Sequence, residues 1–217
     1  MNTSTKLIPS ILSSKLHDYQ HFAQIYRKFS SVIHIDIMDG KYVPARSPEL
    51  HQILQQLCKV PVVFFVHIMV ENVAEYLQIA AKCPQVKLVY VHIEKVTQEI
   101  LEQEWPFTIA LTVNPDTPLD SYKDTLRQSK VIQIMSVVPG RQGAPFIPAT
   151  LTRIHDVRES GFTGGIHIDG SVDAETIPEM ADYQPDILTV GSAVQRSKDP
   201  ETSFLQLQEL LTGTMQS

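Results

Sequence analysis

The chain has 217 residues, of which 43% are hydrophobic and 19% charged, and its net charge is −6. These fractions are typical of a folded globular protein and exclude a disordered chain. The Lys and Arg residues are scattered, so the chain lacks the basic stripe that duplex nucleic acid or an anionic membrane surface would require. We therefore expect a small molecule as the partner, with no nucleic acid and no membrane.

The two cysteines, Cys58 and Cys83, are too few for a disulfide framework and lack the paired spacing of a zinc site. They predict two separate reduced thiols that pack in or near helices. The early apolar stretch, 7–12, is short for a signal peptide and contains Pro9, and the longest apolar run, 60–66, is far below membrane-spanning length. These features predict a cytoplasmic protein.

Runs of apolar and β-branched residues alternate with helix-compatible segments along the whole chain. Strands are predicted near 6–12, 31–38, 61–69, 87–93, 107–113, 131–137, 165–169 and 186–191. Helices are predicted near 17–29, 48–58, 72–82, 97–103, 118–127, 148–160, 173–181 and 200–211. Because a parallel strand is reached only through a crossover, the eight βα units predict a single (β/α)8 TIM barrel over residues 1–217. A doubly wound open sheet is the structural alternative.

The second predicted strand carries polar residues where a barrel strand should be apolar. Strand periodicity sends three isoleucines to one face and His34, Asp36 and Met38 to the other. An imidazole and a carboxylate would then lie side by side inside the barrel, where an unpaired charge is costly. A single buried histidine is more often an ordinary core residue, so His34 by itself leaves both interpretations open.

The third and seventh strands strengthen the functional interpretation. His67 shares a face with Met69 at the end of strand three, and Asp169 ends strand seven directly before Gly170. Imidazole and carboxylate ligands together suit Zn²⁺, Mn²⁺, Fe²⁺ or Co²⁺. A purely structural metal site is the alternative, although such sites are usually closed and rich in cysteine. The sequence predicts one divalent cation held by His34, Asp36, His67 and Asp169.

Three further polar residues lie near the same strand ends. His92 and Glu94 end strand four, and they fit either a hydrogen-bonded polar layer or a position behind the ligands or against substrate. His167 precedes Asp169 by two residues and would lie deeper on the same face. We interpret His167 as a polar core residue outside the metal site.

Glycines gather in the loops that follow strands six, seven and eight. The sequence 139–143 reads Pro-Gly-Arg-Gln-Gly, and the pairs Gly170-Ser171 and Gly191-Ser192 follow the next two strands. Barrels often bind a phosphate group at these loops through backbone N–H groups and the start of a short helix. A phosphorylated substrate is therefore expected, with Arg141 adding positive charge.

These motifs, in this order, resemble the ribulose-phosphate 3-epimerases, including their relatives that act on allulose 6-phosphate. The resemblance runs nearly from end to end. It is carried by Ile8-Pro-Ser-Ile-Leu-Ser13, His34-Ile-Asp-Ile-Met-Asp-Gly40, Val43-Pro44, His67-Ile-Met69, Val113-Asn-Pro115, Met135-Ser-Val137, Pro139-Gly140, Phe146-Ile-Pro148, Asp169-Gly170 and Gly191-Ser192.

The resemblance implies a metal-dependent isomerase of the pentose phosphate pathway, acting as a homo-oligomer on a phosphorylated ketose. Asp36 and Asp169 would act as acid and base on opposite faces of a cis-enediolate, in addition to binding the metal. Met38, Met69 and Met135 would line the site, although simple core filling explains them equally well. The implied substrate-binding residues are Ser10, His67, Met38, Met69, Met135, Gly140, Gly143, Gly170, Ser171, Gly191 and Ser192.

The chain also departs from the family pattern. Ala45 stands where the family usually has asparagine, and the loop 140–145 has fewer glycines than usual. We predict interconversion of ribulose 5-phosphate and xylulose 5-phosphate. Allulose 6-phosphate is the alternative substrate, favoured by the sequences 169–171 and 145–148. A non-catalytic barrel that binds a phosphosugar is the alternative from a different class.

Overall fold

The computed structural model describes residues 5–214, and its centre is a closed barrel of eight parallel strands. The strands are β1 (Lys6–Ile11), β2 (Val32–Met38), β3 (Val63–Met69), β4 (Val86–His92), β5 (Thr108–Val113), β6 (Val131–Met135), β7 (Gly165–Asp169) and β8 (Ile187–Val190). Each strand pairs with the next, and β1 pairs with β8 to close the ring. The predicted (β/α)8 barrel is confirmed, and the open-sheet alternative is wrong.

Helices surround this barrel. They are α1 (Leu16–Tyr26), α2 (Leu50–Leu57), α3 (Val73–Ala80), α4 (Gln98–Glu102), α5 (Lys123–Gln128), α6 (Arg153–Glu159), α7 (Ile177–Ala181), α8 (Ser192–Gln195) and α9 (Pro200–Thr214). Short 3₁₀ turns, Leu119–Tyr122 and Pro148–Thr150, precede α5 and α6. Helix α7 begins four residues later than predicted, because the Asp173 carboxylate accepts the N–H groups of Glu175 and Thr176 in a local turn.

Strand β2 shows how the alternating pattern builds the two sides of the barrel wall. Ile33, Ile35 and Ile37 are buried and belong to the core between the strands and the helices. The intervening residues, His34, Asp36 and Met38, are also buried but lie on the opposite, interior side. The predicted division of this strand into a helix-facing side and an interior side is confirmed.

Strand register brings the interior residues into neighbouring rows. His34 pairs with Ser10 across β1 and β2, and Asp36 pairs with His67 across β2 and β3. Asp169 lies opposite Met135 on one side and Thr189 on the other. Since paired residues of parallel strands point to the same face, these side chains meet at the carboxyl end of the barrel.

The expectation of two separate thiols is wrong, because Cys58 and Cys83 are joined in a disulfide with a Cα separation of 6.3 Å. Cys58 directly follows α2 and Cys83 lies shortly after the end of α3, so the two residues lie at the C-terminal ends of successive helices, 25 residues apart in the chain. Spacing along the chain does not show this proximity, which comes from the side-by-side packing of the two helices. Across residues 5–214, no helix combines the length and apolar character needed to span a membrane.

Candidate active site

Four side chains meet at the carboxyl end of the barrel interior. His34 Nε2 lies 3.2 Å from Asp36 Oδ1 and 3.5 Å from Asp169 Oδ2. His67 Nδ1 lies 3.3 Å and 3.5 Å from the same two oxygens. All four residues are buried, and one nitrogen or oxygen from each lies within 4.8 Å of the others. Two imidazole nitrogens and two carboxylate oxygens so arranged could hold a metal ion.

The histidines and aspartates of this cluster shift one another's pKa values. Burial opposes ionisation of Asp36, but His34 and His67 outweigh it and hold the pKa of this carboxyl well below its usual range. Burial alone would lower the pKa of His67, but hydrogen bonds and charge from Asp169 and Asp36 raise it to about 9. Without a metal, a proton on His67 therefore balances part of the carboxylate charge.

His92 lies directly behind His67. The two Nε2 atoms are 3.0 Å apart, and the Tyr42 ring packs 4.7 Å from the His92 ring. Burial, together with the charge of His67, lowers the pKa of His92 well below its usual value, while Asn114 beside it acts in the opposite direction. A neutral His92 can accept the Nε2 proton of His67, which leaves Nδ1 of His67 facing the carboxylates. His92 therefore lies behind His67 and within hydrogen-bonding distance of it.

Glu94 and His167 lie outside the four-residue cluster. Glu94 accepts hydrogen bonds from Thr117 and, at 3.5 Å, from Asn114, so it belongs to a polar layer beyond the end of β4. The Nδ1 atom of His167 lies 2.6 Å from the Tyr90 hydroxyl oxygen. Burial, with a contribution from His34, lowers the pKa of His167 to about 3. His167 is thus a neutral, buried polar residue deeper in the barrel, as interpreted from the sequence.

Asp169 accepts a hydrogen bond that the sequence interpretation missed, from a residue deeper in the barrel interior. The Gln133 side-chain amide donates a hydrogen bond of 2.8 Å to Asp169 Oδ2, and Thr112 Oγ1 donates one of 2.7 Å to Gln133 Oε1. Gln133 is the polar residue in an otherwise apolar strand, and it lies on the interior face of β6 together with Val131 and Met135. That pattern is the signal that could have identified it.

A cleft that opens to solvent lies above the cluster. The predicted site residues that line it are Ser10, Asp36, Met69, Met135, Gly140, Gly143, Asp169, Gly170, Ser171, Gly191 and Ser192. His34, His67 and Met38 do not form its walls: the two histidines are fully buried below, and Met38 packs with Val43 and Met69.

The loops after β6 and β8 are tied together beside this cleft. The Arg196 guanidinium donates to the Gln142 carbonyl oxygen and side-chain oxygen at 3.3 and 3.2 Å. The Gln142 amide in turn donates to Gln195 Oε1 at 2.7 Å, and Gln195 donates to the Leu12 carbonyl at 3.1 Å. These bonds hold the glycine-containing segments of the two loops on one side of the cleft, next to the loop after β7.

Glycine is required at Gly170, where the chain turns away from Asp169. Its φ is +117°, and a Cβ there would lie 2.6 Å from a methyl group of Val137. Gly191 meets a different constraint, because a Cβ at this position would lie 2.9 Å from Ser10 Oγ. Both glycines therefore allow a close approach of backbone to neighbouring groups at the cleft wall.

Comparison with known proteins identifies the family to which this site belongs. The family model described as "Ribulose-phosphate 3 epimerase family" matches residues 6–195. The chain belongs to the ribulose-phosphate 3-epimerase family. It is therefore an isomerase of the epimerase type that acts on carbohydrates, and the resemblance noted from its motifs is confirmed.

Relatives of the epimerase span almost its whole length. The ribulose-phosphate 3-epimerase of Helicobacter pylori is 29% identical over 216 residues, which cover 94% of this chain and 97% of the relative. The enzyme of the same name from Methanocaldococcus jannaschii is 29% identical, with 94% and 90% coverage. The crystal structure of KGPDC from Streptococcus mutans superposes with a TM-score of 0.70 over 97% of this chain and 99% of that one. Its sequence identity is 10%, so that likeness shows the barrel fold alone.

Proposed function

We propose that this epimerase interconverts ribulose 5-phosphate and xylulose 5-phosphate with one divalent cation held by His34, Asp36, His67 and Asp169. The observation that carries the proposal is the pair of carboxylates, from β2 and β7, at the floor of one cleft with two imidazoles between them. Zn²⁺, Fe²⁺, Mn²⁺ and Co²⁺ all suit this donor set. The cation would balance the charge of two buried carboxylates that otherwise rely on a proton at His67.

Inverting C3 beside a ketone requires two proton transfers on opposite faces of the carbon. One aspartate, as the carboxylate, removes the C3 proton to give a planar enediolate, and the other, as the carboxylic acid, delivers its own proton from the far side. When bound, the cation would stabilise the negative charge that develops on the enediolate oxygens. Asp36 and Asp169 lie on β2 and β7, so two carboxylates approach the cleft from different parts of the barrel wall.

The phosphate of the substrate would lie against the loops after β6, β7 and β8. Gly143, Gly170, Ser171, Gly191 and Ser192 line this side of the cleft, where backbone N–H groups can bind a dianion. Arg141 also lines the cleft and adds positive charge. Ser10, beside Gly191, would contact the sugar, and the thioethers of Met69 and Met135 would exclude water from the reacting carbons.

Turnover measurements with two substrates test this proposal. We expect the metal-loaded enzyme to have a higher kcat/KM for ribulose 5-phosphate than for allulose 6-phosphate under identical metal loading. The reverse order would assign the six-carbon substrate. A non-catalytic phosphosugar-binding barrel would bind both sugars without exchanging their C3 hydrogen with solvent deuterium, and that result would contradict the proposal.

Gly191→Val should raise KM for the phosphorylated ketose by about tenfold, because the new side chain crowds Ser10 and the backbone that would bind the phosphate. Steady-state kinetics measure the effect. Gly213→Ala is the matched control, since a Cβ there has nothing within 4 Å. An unchanged KM in Gly191→Val would place the phosphate elsewhere.

Location and assembly complete the proposal. A sugar phosphate is a dianion that does not cross membranes unaided, so we place the enzyme in the cytoplasm, where such substrates are made. This assignment rests on the substrate and not on the cysteines, which are joined to each other. The family resemblance leads us to expect a homo-oligomer, which analytical ultracentrifugation would measure.

A further inference from the structure

The interior layer directly below Asp169 contains a buried amide. Gln133 and Thr112 are each 0% exposed. Gln133 lies opposite His167 in the register of β6 and β7, one layer below the Met135–Asp169 pair, and Thr112 is its neighbour on β5. The two side chains thus form a short chain of hydrogen bonds across three strands that ends on the Asp169 carboxylate.

The direction of these hydrogen bonds follows from the groups involved. Asp169 Oδ2 accepts the hydrogen bond, so the amide nitrogen of Gln133 must face Asp169. The amide oxygen then faces Thr112, whose hydroxyl is the donor at 2.7 Å. Without that hydroxyl, the amide could rotate, and its oxygen would then be repelled by Asp169. Thr112 therefore fixes the orientation of Gln133.

The amide binds one particular oxygen of Asp169. The hydrogen bond of 2.8 Å ends on Oδ2, which is also the oxygen that lies 3.5 Å from both His34 Nε2 and His67 Nδ1. Oδ2 thus contacts the Gln133 amide and also lies close to the two imidazoles that would hold the cation with it. Within residues 5–214, no side chain donates a hydrogen bond to Oδ1, and Asp169 lines the cleft.

We propose that Gln133 is a positioning residue that holds the Asp169 carboxylate with Oδ2 toward the cation and Oδ1 toward C3 of the substrate. Oδ1 is then the atom that exchanges a proton with C3. This inference rests on the proposed function, which it deepens by assigning the proton-transferring oxygen. Asp36 is held differently, because its Oδ1 faces both imidazoles and, within the described residues, no side-chain amide donates a hydrogen bond to its carboxylate. Loss of the amide should therefore impair one half of the reaction.

Gln133→Met tests the proposal, because methionine has a similar length and shape but no donor. The first readout is titration of the metal-free protein with Co²⁺, followed by visible absorption. We expect the Kd for Co²⁺ to rise about tenfold and the absorption bands to shift, as for loss of a partner that orients a metal ligand. No substrate is needed for this measurement, so it does not depend on which sugar the enzyme uses.

The second readout is the ratio of C3 hydrogen exchange to epimerisation, measured in deuterium oxide from each epimer. For the epimer that Asp36 deprotonates, exchange should continue while epimer formation slows, so the ratio should rise about tenfold. For the opposite epimer, Asp169 performs the first step, so exchange should slow together with epimerisation. A general loss of folded structure would lower all rates alike and leave both ratios unchanged.

Three further variants accompany the test. Thr112→Val removes the hydroxyl that orients Gln133 and should change both readouts in the same direction, while Thr112→Ser keeps the hydroxyl and should restore them. Thr189→Val is the matched control for the Co²⁺ titration, because Thr189 is a buried neighbour of Asp169 whose hydroxyl has no partner among the described residues. If Gln133→Met does not fold, the two Thr112 variants decide the question.

An unchanged Co²⁺ affinity, or an unchanged ratio of exchange to epimerisation for the epimer that Asp36 deprotonates, in folded Gln133→Met or Thr112→Val would overturn the assignment. The epimerase function would still stand in that case, since the variant would still invert C3. Conversely, if the wild-type protein epimerised no ketose phosphate, the proposed function would fail. The Co²⁺ titration would then still decide whether Gln133 positions Asp169.

Discussion

Asp169→Asn is expected to lower kcat for epimerisation by about 10²- to 10⁴-fold, because an amide cannot deliver or remove the proton on its face of the substrate. The metal should be retained weakly, since the amide oxygen can still coordinate. If Asp36 abstracts the proton in the direction tested, the variant should still exchange the C3 hydrogen with solvent deuterium while forming little epimer. Mass spectrometry of substrate and product in deuterium oxide measures both rates.

Asp36→Asn is the paired variant for this experiment. It should lose exchange for the epimer that Asp169→Asn still exchanges, and the opposite epimer should show the reverse pattern. Metal content must be measured in both proteins, because an empty site would abolish activity for a reason unrelated to proton transfer. Near wild-type epimerisation by both metal-loaded variants would refute the two-acid mechanism.

His67→Ala is expected to weaken divalent metal binding by at least about 100-fold, because it removes one of four proposed ligands from a buried site. Competition with a chromogenic chelator measures the dissociation constant. His167→Gln serves as the control, since His167 is also a buried interior histidine but contacts Tyr90 instead of the carboxylates. Equal metal affinities for wild type and His67→Ala would remove His67 from the metal site.

The pH dependence of the same measurement gives an independent readout for His67. Its pKa of about 9 without metal means that the ring is protonated at pH 7, so a binding cation must displace a proton. Affinity in the wild type should rise about tenfold per pH unit from pH 7 and level off above pH 9. Asp36, with its lowered pKa, stays ionised throughout this range and adds no slope. In His67→Ala this slope should be absent.

Much of the fold and of the site could be predicted because both depend on local patterns. Apolar runs bounded by turn residues predicted all eight strands, and each predicted strand end lies within two residues of the observed one. Strand periodicity placed His34 and Asp36 inside the barrel, and the common carboxyl end of parallel strands brought His67 and Asp169 beside them. The family motifs then predicted an epimerase, which the family match confirms.

Contacts between residues far apart in the chain could not be predicted as well from the sequence. For Met38 the sequence left lining of the site and core filling equally open, and the residue packs with Val43 and Met69, where the loop after β2 folds back on the strand end. The disulfide between Cys58 and Cys83 depends on how two helices pack side by side. The short helix α8 begins directly after Gly191, in a segment too short for helical periodicity to be visible.

The sequence by itself determined the barrel, the family and the four residues that converge at its carboxyl end. These follow from side-chain type and from the two-residue period of a strand, which are properties of neighbouring residues. Only the tertiary structure decided that Gln133 binds Asp169 Oδ2 and that His92 lies behind His67. Such contacts depend on the stagger between strands and on side-chain rotamers, which set distances of about 3 Å that no spacing along the chain encodes.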